Sequence, residues 1–207
     1  MSLVSQILAV IGGLAINITL VLGYPGLIFL MALESMIVPL PSELILPFAG
    51  YLSATGEFNF WLAVLAATLG SLIGSLISYW MGYYGGDKFI RAFGKYFFLD
   101  EADLDKTEQW FKQRGEAVVF LARFVPVVRH LISIPAGVGK MDLKRFSFYT
   151  ILGAGLWNAF LLWLGFFLGQ NWREVRKYSE YFSLAVALLL AIATVAVLIR
   201  HFRRKKI

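Results

Sequence analysis

Residues 32–50 read ALESMIVPLPSELILPFAG, an apolar run that carries Glu34 and Glu43 and three prolines, Pro39, Pro41 and Pro47. Proline removes a backbone donor and clashes with the preceding turn, so an unbroken helix cannot run through it. A second stretch of the same kind, Ala117–Val138, carries Arg123, Pro126, Arg129 and Pro135. Broken backbone at membrane depth is tolerated only where protein or a water-filled cavity covers it. Each stretch, the first running over Gly26–Ala54, is therefore expected to form a re-entrant hairpin that dips into the membrane and returns to the same side. Pro39 and Pro41 shape the first hairpin, and Pro126 and Pro135 the second.

The rest of the chain supplies the membrane around these hairpins. Its 207 residues are 59% hydrophobic, with mean hydropathy +0.72, against about 45–50% apolar residues in a soluble domain. A helix crosses a bilayer with about 20 apolar residues. Phe60–Tyr84, Phe146–Gly169 and Phe182–Ile199 are long enough, and Val4–Leu22 adds an uncharged stretch at the N-terminus. Val4–Leu22 lacks a basic flank and a small-residue cleavage site, so it reads as a retained span. The expected architecture is an all-α membrane protein in a single membrane domain. It comprises an N-terminal helix (1–22), a first hairpin-plus-span unit (26–86), a cytoplasmic amphipathic segment (87–116), a second unit (117–169) and a C-terminal helix (182–200). There is no cysteine, which excludes disulfides and thiolate metal sites. His130 and His201 are too few for a histidine metal site, and no cofactor is expected. The net charge of +6 does not call for nucleic acid, because Lys and Arg collect in the cytoplasmic loops of membrane proteins.

The two units look like copies. Pro47-Phe48-Ala49-Gly50 and Ile134-Pro135-Ala136-Gly137 share their Ala-Gly ending. The spans that follow close with Trp80-Met-Gly82-Tyr83-Tyr84 and Trp163-Leu-Gly165-Phe166-Phe167. Interrupted hydrophobic segments in two corresponding halves point to a transporter site at their interface. With the N-terminus inside, 14 of the 19 Lys and Arg fall on the cytoplasmic side, three outside (Arg173, Arg176, Lys177) and two in the second hairpin. That bias favours both termini inside the cell membrane. It makes the hairpins enter from opposite faces, so the repeat is inverted. Phe89, Ile90, Phe93, Tyr96 and Phe97 recur at helical spacing among Lys88, Arg91 and Lys95, as in an interfacial helix.

Four ionisable side chains, Glu34, Glu43, Arg123 and Arg129, lie inside the apolar hairpins. Each costs about 2.5–3.5 kcal/mol on insertion scales and marks function by default. The plainer alternative is two Glu–Arg ion pairs that pin the hairpins together, an arrangement that can still open for a substrate. A bend at Pro126 lets Arg123 and Arg129 converge on one anion, and guanidinium binds phosphate bidentately while keeping its charge. These two are the candidate phosphate ligands. Burial favours the neutral form of a carboxyl group, so Glu34 and Glu43 are candidates for proton coupling or for gating the arginines. Among lesser features, Gly70-Ser71 and Gly74-Ser75 offer a close-packing face. Asn158 suits an interhelical hydrogen bond and His130 a structural role, while Trp61, Tyr83, Tyr84 and Trp172 fit interfacial belts.

On these residues the chain resembles the DedA family, also called SNARE-associated or VTT-domain membrane proteins. The pieces are Glu34, Pro39-x-Pro41-Ser42-Glu43 and Ala49-Gly50, then Phe120-x-x-Arg123-Phe-x-Pro126-x-x-Arg129, then Gly137-x-Gly139-x-Met141 and Phe146. The resemblance runs through most of Gly26–Gly169. It implies a lipid-transporting fold with two opposed re-entrant hairpins and essential positions at Glu34, Glu43, Arg123 and Arg129. It also implies recycling of undecaprenyl phosphate, flipping of phosphatidylethanolamine, dependence on the proton-motive force, or scrambling of phospholipids.

The expected function is therefore transport of a phosphate-bearing lipid, undecaprenyl phosphate first, from the outer to the inner leaflet. Protons are a candidate second partner, and the reading is compatible with a homo-oligomer. A phosphatidylethanolamine flippase or general scramblase is the alternative within the class. A lipid phosphatase is the alternative outside it, and the sequence offers no nucleophile set or metal spacing for one. An interaction scaffold leaves the four charges unexplained.

Overall fold

The computed structural model describes residues 3–36, 42–97, 114–125 and 128–169, with side chains from residue 12 in the first stretch and to residue 85 in the second. The regular elements among them are all helices: α1 (Leu3–Leu22), α2 (Tyr24–Met36), α3 (Ser42–Ala54), α4 (Phe60–Phe97), α5 (114–122), α6 (Val128–Leu131), α7 (Ser133–Val138) and α8 (Leu143–Leu168). Met1–Phe167 form one compact unit; a second, Leu168–Ile207, falls almost wholly outside the described residues, as does the expected C-terminal span. Pro39, Pro41 and Pro126 also lie outside them.

Phe60–Gly85 of α4 and Leu143–Leu168 of α8 have 26 residues each, and their most apolar 18-residue windows have mean hydropathies of 2.0 and 1.8. At 1.5 Å per residue each is about 39 Å long, enough to cross a bilayer. Only 39% and 33% of their most apolar windows are buried within the protein. Trp61, Leu65, Phe148, Phe160 and Trp163 lie on the exposed side. A helix at the core of a soluble protein would bury such residues. α2 and α3, with 13 residues each, reach about 20 Å, too short to cross. α4 does not stop at Gly86. It runs on to Phe97, so the segment from Asp87 begins as about three further turns of the same helix. Glycine weakens a helix without breaking it.

Local chemistry sets the joints. Gly23, at φ +61°, ends α1 in a left-handed turn, and its N–H donates to the Thr19 carbonyl at 3.0 Å. α2 folds back from there so closely that a Cβ on Gly26 would meet the Ile18 carbonyl. Asn59 caps α4: its Oδ1 accepts from the N–H groups of Trp61 and Leu62 at 3.0 and 3.1 Å. Asp142 does the same for α8 through the N–H of Arg145 at 2.9 Å. Pro135 sits in the first turn of α7, where its missing donor costs nothing.

α4 and α8 run antiparallel. Phe60 meets Phe166 edge-to-face at 5.8 Å, Asn158 reaches Ser71 at 3.3 Å, and Tyr79 lies 4.9 Å from Phe146. Two apolar clusters fill opposite ends of this pair. One gathers Leu27, Met31, Ile45, Leu46 and Ala67 with Leu162. The other gathers Tyr79, Val119, Ile132 and Ala136 with Phe146.

Glycines bring the short helices against the long ones. A Cβ on Gly70 or Gly74 of α4 would strike the carbonyls of Ile28 or Ala32 in α2, which is the close packing expected of that small-residue face. A Cβ on Gly153 of α8 would strike the Arg123 side chain and the Phe120 carbonyl beside α5. α3 packs on α8, and α7 on α4. Gly50 of α3 lies on the Leu162 carbonyl of α8, and Gly165 of α8 on the Pro47 carbonyl of α3. In the same reciprocal way Gly137 of α7 lies on the Tyr79 carbonyl of α4, and Gly82 of α4 on the Ile134 carbonyl of α7.

Candidate functional site

Between the two apolar clusters lies a layer of buried polar groups: Glu34, Ser35, Ser42, Ser71, Ser75, Arg123, Arg129, Ser133, Thr150 and Asn158. Ser71 and Ser75 stand near the middle of the apolar part of α4, and Ala154 and Asn158 near the middle of α8. The layer is thus about as far from either end of the spans as the chain allows. Buried polar groups there must be paired internally, because hydrocarbon offers no partner.

The helix carrying the arginines breaks between them. α5 ends at residue 122, and the N–H groups of Arg123, Phe124 and Val125 turn back to carbonyls three residues earlier. α6 then starts at Val128, with the Arg129 N–H on the Val125 carbonyl at 3.0 Å. The two guanidiniums line one cavity, and Arg123 Nη1 donates to the Arg129 carbonyl at 3.1 Å.

The two arginines have different partners. Arg129 Nη2 donates to Glu34 Oε1 at 2.6 Å, to Glu43 Oε1 at 3.0 Å and to the Ser42 hydroxyl. Among the described residues Arg123 donates only to neutral oxygens: Ser75 Oγ and the Arg129 carbonyl at 3.1 Å, Ser133 Oγ at 3.2 Å and Thr150 Oγ1 at 3.1 Å. Two separate Glu–Arg pairs are one sequence expectation; the described residues instead give both carboxylates to Arg129 and none to Arg123. The glutamates differ too. The Glu34 side chain is 2% exposed and that of Glu43 31%, so Glu43 stands at the open edge of the cluster. His130 has its Nδ1 at 2.9 Å from the Glu34 carbonyl, a structural tie.

A cavity of about 20 Å³ adjoins these groups, lined in part by Glu34, Ser71, Arg123, Arg129, Trp157 and Asn158. The indole of Trp157 lies under the Arg129 guanidinium, with 5.7 Å between Cζ and the ring centroid. Trp157 escapes the sequence reading because it sits mid-span, where an aromatic residue reads as lipid-facing. The arginine-binding hydroxyls of Ser75, Ser133 and Thr150 escape it because small polar residues are common in packed membrane helices. Asn158 makes the interhelical bond expected of it, to Ser71. Among the described residues no group of His, Asp and Glu could hold a metal ion.

Comparison with known proteins fits this geometry. The VTT domain matches residues 40–167. The chain is 36% identical to undecaprenyl phosphate transporter A of Bacillus subtilis over 175 residues, 84% of this chain and 86% of that protein. It is 36% identical to an alkaline phosphatase-like protein of Lactococcus lactis over 188 residues, 88% of each. Protein DedA of Escherichia coli is 27% identical over 169 residues, 81% of this chain and 75% of that one. No solved structure matches. A domain match over more than half of the chain, joined to relatives of this identity and coverage, makes it a member of the DedA family of VTT-domain membrane proteins.

Proposed function

We propose that this protein carries a phosphate-bearing lipid, undecaprenyl phosphate first among candidates, from the outer to the inner leaflet of the cytoplasmic membrane. The observation that carries the reading is the arginine pair at mid-span: one guanidinium already holding two carboxylates, the other holding only neutral oxygens. In the empty carrier Glu34 and Glu43 stand where phosphate oxygens would bind Arg129. Lipid phosphate then displaces them, and either carboxylate can take up a proton as it leaves. Arg123, short of an anionic partner among the described residues, supplies the second ligand. The name of the Bacillus subtilis relative supports the choice of lipid, and the relatives named as transporters support a role without catalysis.

The scaffold we propose is an inverted repeat of hairpin plus span, with α2–α3 and α5–α7 as re-entrant hairpins entering from opposite faces. Its support is the matched set of glycine crossings, in which each span meets the first limb of its own hairpin and the second limb of the other. Both termini are then cytoplasmic. The chain has no cysteine, so single ones can be introduced cleanly. A membrane-impermeant thiol reagent applied to intact cells labels Thr55→Cys and spares Asp103→Cys; the opposite pattern inverts the arrangement.

The functional test is leaflet exchange of undecaprenyl phosphate in liposomes holding purified protein, with and without an imposed pH gradient. Exchange that needs Arg123 and Arg129 and follows the gradient supports proton-coupled transport. Exchange indifferent to the gradient makes the protein a passive scramblase with Glu34 and Glu43 as gates. The adjacent acidic and basic groups favour a second reading, a zwitterionic headgroup such as that of phosphatidylethanolamine. Equal rates for both lipids would remove the polyprenyl preference. Release of inorganic phosphate, lost in Glu43→Gln, would replace transport by hydrolysis.

A further inference from the structure

Three buried N–H donors have no hydrogen-bond partner among the described residues: Arg123 Nε, Arg129 Nε and Trp157 Nε1. Buried donors are nearly always satisfied, and each orphan costs free energy, so three in one place require a reason. All three residues line the same cavity. Arg123 and Arg129 are 3% and 6% exposed, so bulk water does not serve them. Arg123 Nη1 and Nη2 and Arg129 Nη2 donate to hydroxyl, backbone and carboxylate oxygens, while neither Nε has a partner among the described residues. The third orphan belongs to neither hairpin. It comes from α8, from the indole that lies under Arg129. A cavity of about 20 Å³ takes one oxygen-sized atom.

We propose that Trp157 is a phosphate-contacting residue: when the lipid phosphate is bound, one of its terminal oxygens enters the cavity and accepts hydrogen bonds from Arg123 Nε, Arg129 Nε and Trp157 Nε1. This rests on the transport reading above and adds a ligand to it. The cavity holds one oxygen, and the remaining terminal oxygens take the place of the Glu34 and Glu43 carboxylates on Arg129. The indole N–H is a donor only, so that atom can bond a phosphate oxygen while the ring face keeps its contact with Arg129. Placed on the span, it ties the lipid headgroup to α8 as well as to the α5–α6 turn.

The test measures binding of farnesyl phosphate, a short polyprenyl monophosphate, and of farnesol, the same tail without phosphate, to purified full-length protein in nanodiscs. Trp157→Phe keeps a ring beneath Arg129 and removes the donor. It is expected to weaken farnesyl phosphate binding about tenfold, the loss of one hydrogen bond to a charged group, and to leave farnesol binding unchanged. Trp163→Phe, on the exposed side of α8, is expected to change neither. Equal farnesyl phosphate binding by Trp157→Phe and wild type overturns the proposal, as does equal weakening of both probes. Wild-type protein that does not distinguish phosphate from alcohol overturns the transport reading itself, and Trp157 falls with it. Should Trp157→Phe fail to fold, the wild-type protein still decides. The Trp157 indole proton resonance is expected to move downfield with farnesyl phosphate and not with farnesol; a resonance indifferent to both overturns the assignment.

Discussion

The α2–α3 half and the α5–α7 half are packed alike and charged oppositely. In each, a glycine of the first limb's span (Gly70 or Gly153) admits that limb, and a reciprocal glycine pair (Gly82 with Gly137, Gly165 with Gly50) locks the second limb to the opposite span. The chemistry is not matched. The first half contributes Glu34 and Glu43, the second Arg123 and Arg129. The spans differ at one matching place as well. Gly74 stands about two turns before Gly82 and lets α2 press against α4; Trp157 stands about two turns before Gly165 and roofs the cavity. Two similarly packed sets of helices can thus hold a site whose two walls are complementary.

The sharpest way to break the comparison is to fill the shared crossings. Gly82→Leu and Gly165→Leu each push a side chain into a backbone carbonyl that cannot move aside. Each is expected to cost about 3 kcal/mol or more and to cut the yield of folded protein, read as the melting midpoint in detergent. Gly155→Ala, where a Cβ would meet only Thr68 side-chain atoms at 3.6 Å, is the control and is expected to be neutral or slightly stabilising. Tolerance of leucine at Gly82 but not Gly165 would show that the two crossings are not equivalent.

A second set tests the oppositely charged walls. Glu34→Ala removes a carboxylate from an almost fully buried pair and is expected to cost about 3 kcal/mol. Glu43→Ala, at the open edge, is expected to cost about 1 kcal/mol or less. Thermal unfolding of the two variants side by side reads the difference, and equal losses would mean that the two carboxylates share one environment. A third set compares the arginines. Lysine keeps the charge and loses the fork. Arg123→Lys gives up a four-acceptor network, and we expect it to slow lipid exchange more than Arg129→Lys, both measured at equal protein amounts. Wild-type rates in both would leave charge as the only requirement.

Much of this organisation is legible in the chain. The spans at Phe60 and Phe146 announce themselves by length and hydropathy, and the four charges by their cost in an apolar run. The matching of Trp80-x-Gly82 with Trp163-x-Gly165 also picks out two glycines that the fold uses at crossings. What the chain hides is partnership. Arg129 takes both glutamates because the α5–α6 turn and the end of α2 meet in space, and that depends on how four helices cross. The hydroxyls that accept from Arg123, those of Ser75, Ser133 and Thr150, lie on three different elements and share no spacing. The continuation of α4 to Phe97 is hidden for another reason: Gly85-Gly86 followed by charge reads as an end, while the backbone simply continues.

The double grip on Arg129 has a kinetic consequence. Two carboxylates tethered to the chain act as internal competitors, present at a high effective concentration that no dilution lowers. In the proposed carrier, lipid phosphate binds only in the fraction of molecules whose Arg129 is released, so the apparent dissociation constant is the intrinsic one divided by that fraction. If about one molecule in a hundred is released, affinity falls about a hundredfold. The same competitors return once the lipid has crossed, and their return shortens its stay. A carrier with Arg129 unopposed would hold its cargo longer and turn over more slowly, so on the proposed function the ion pairs that weaken binding would also permit repeated cycles.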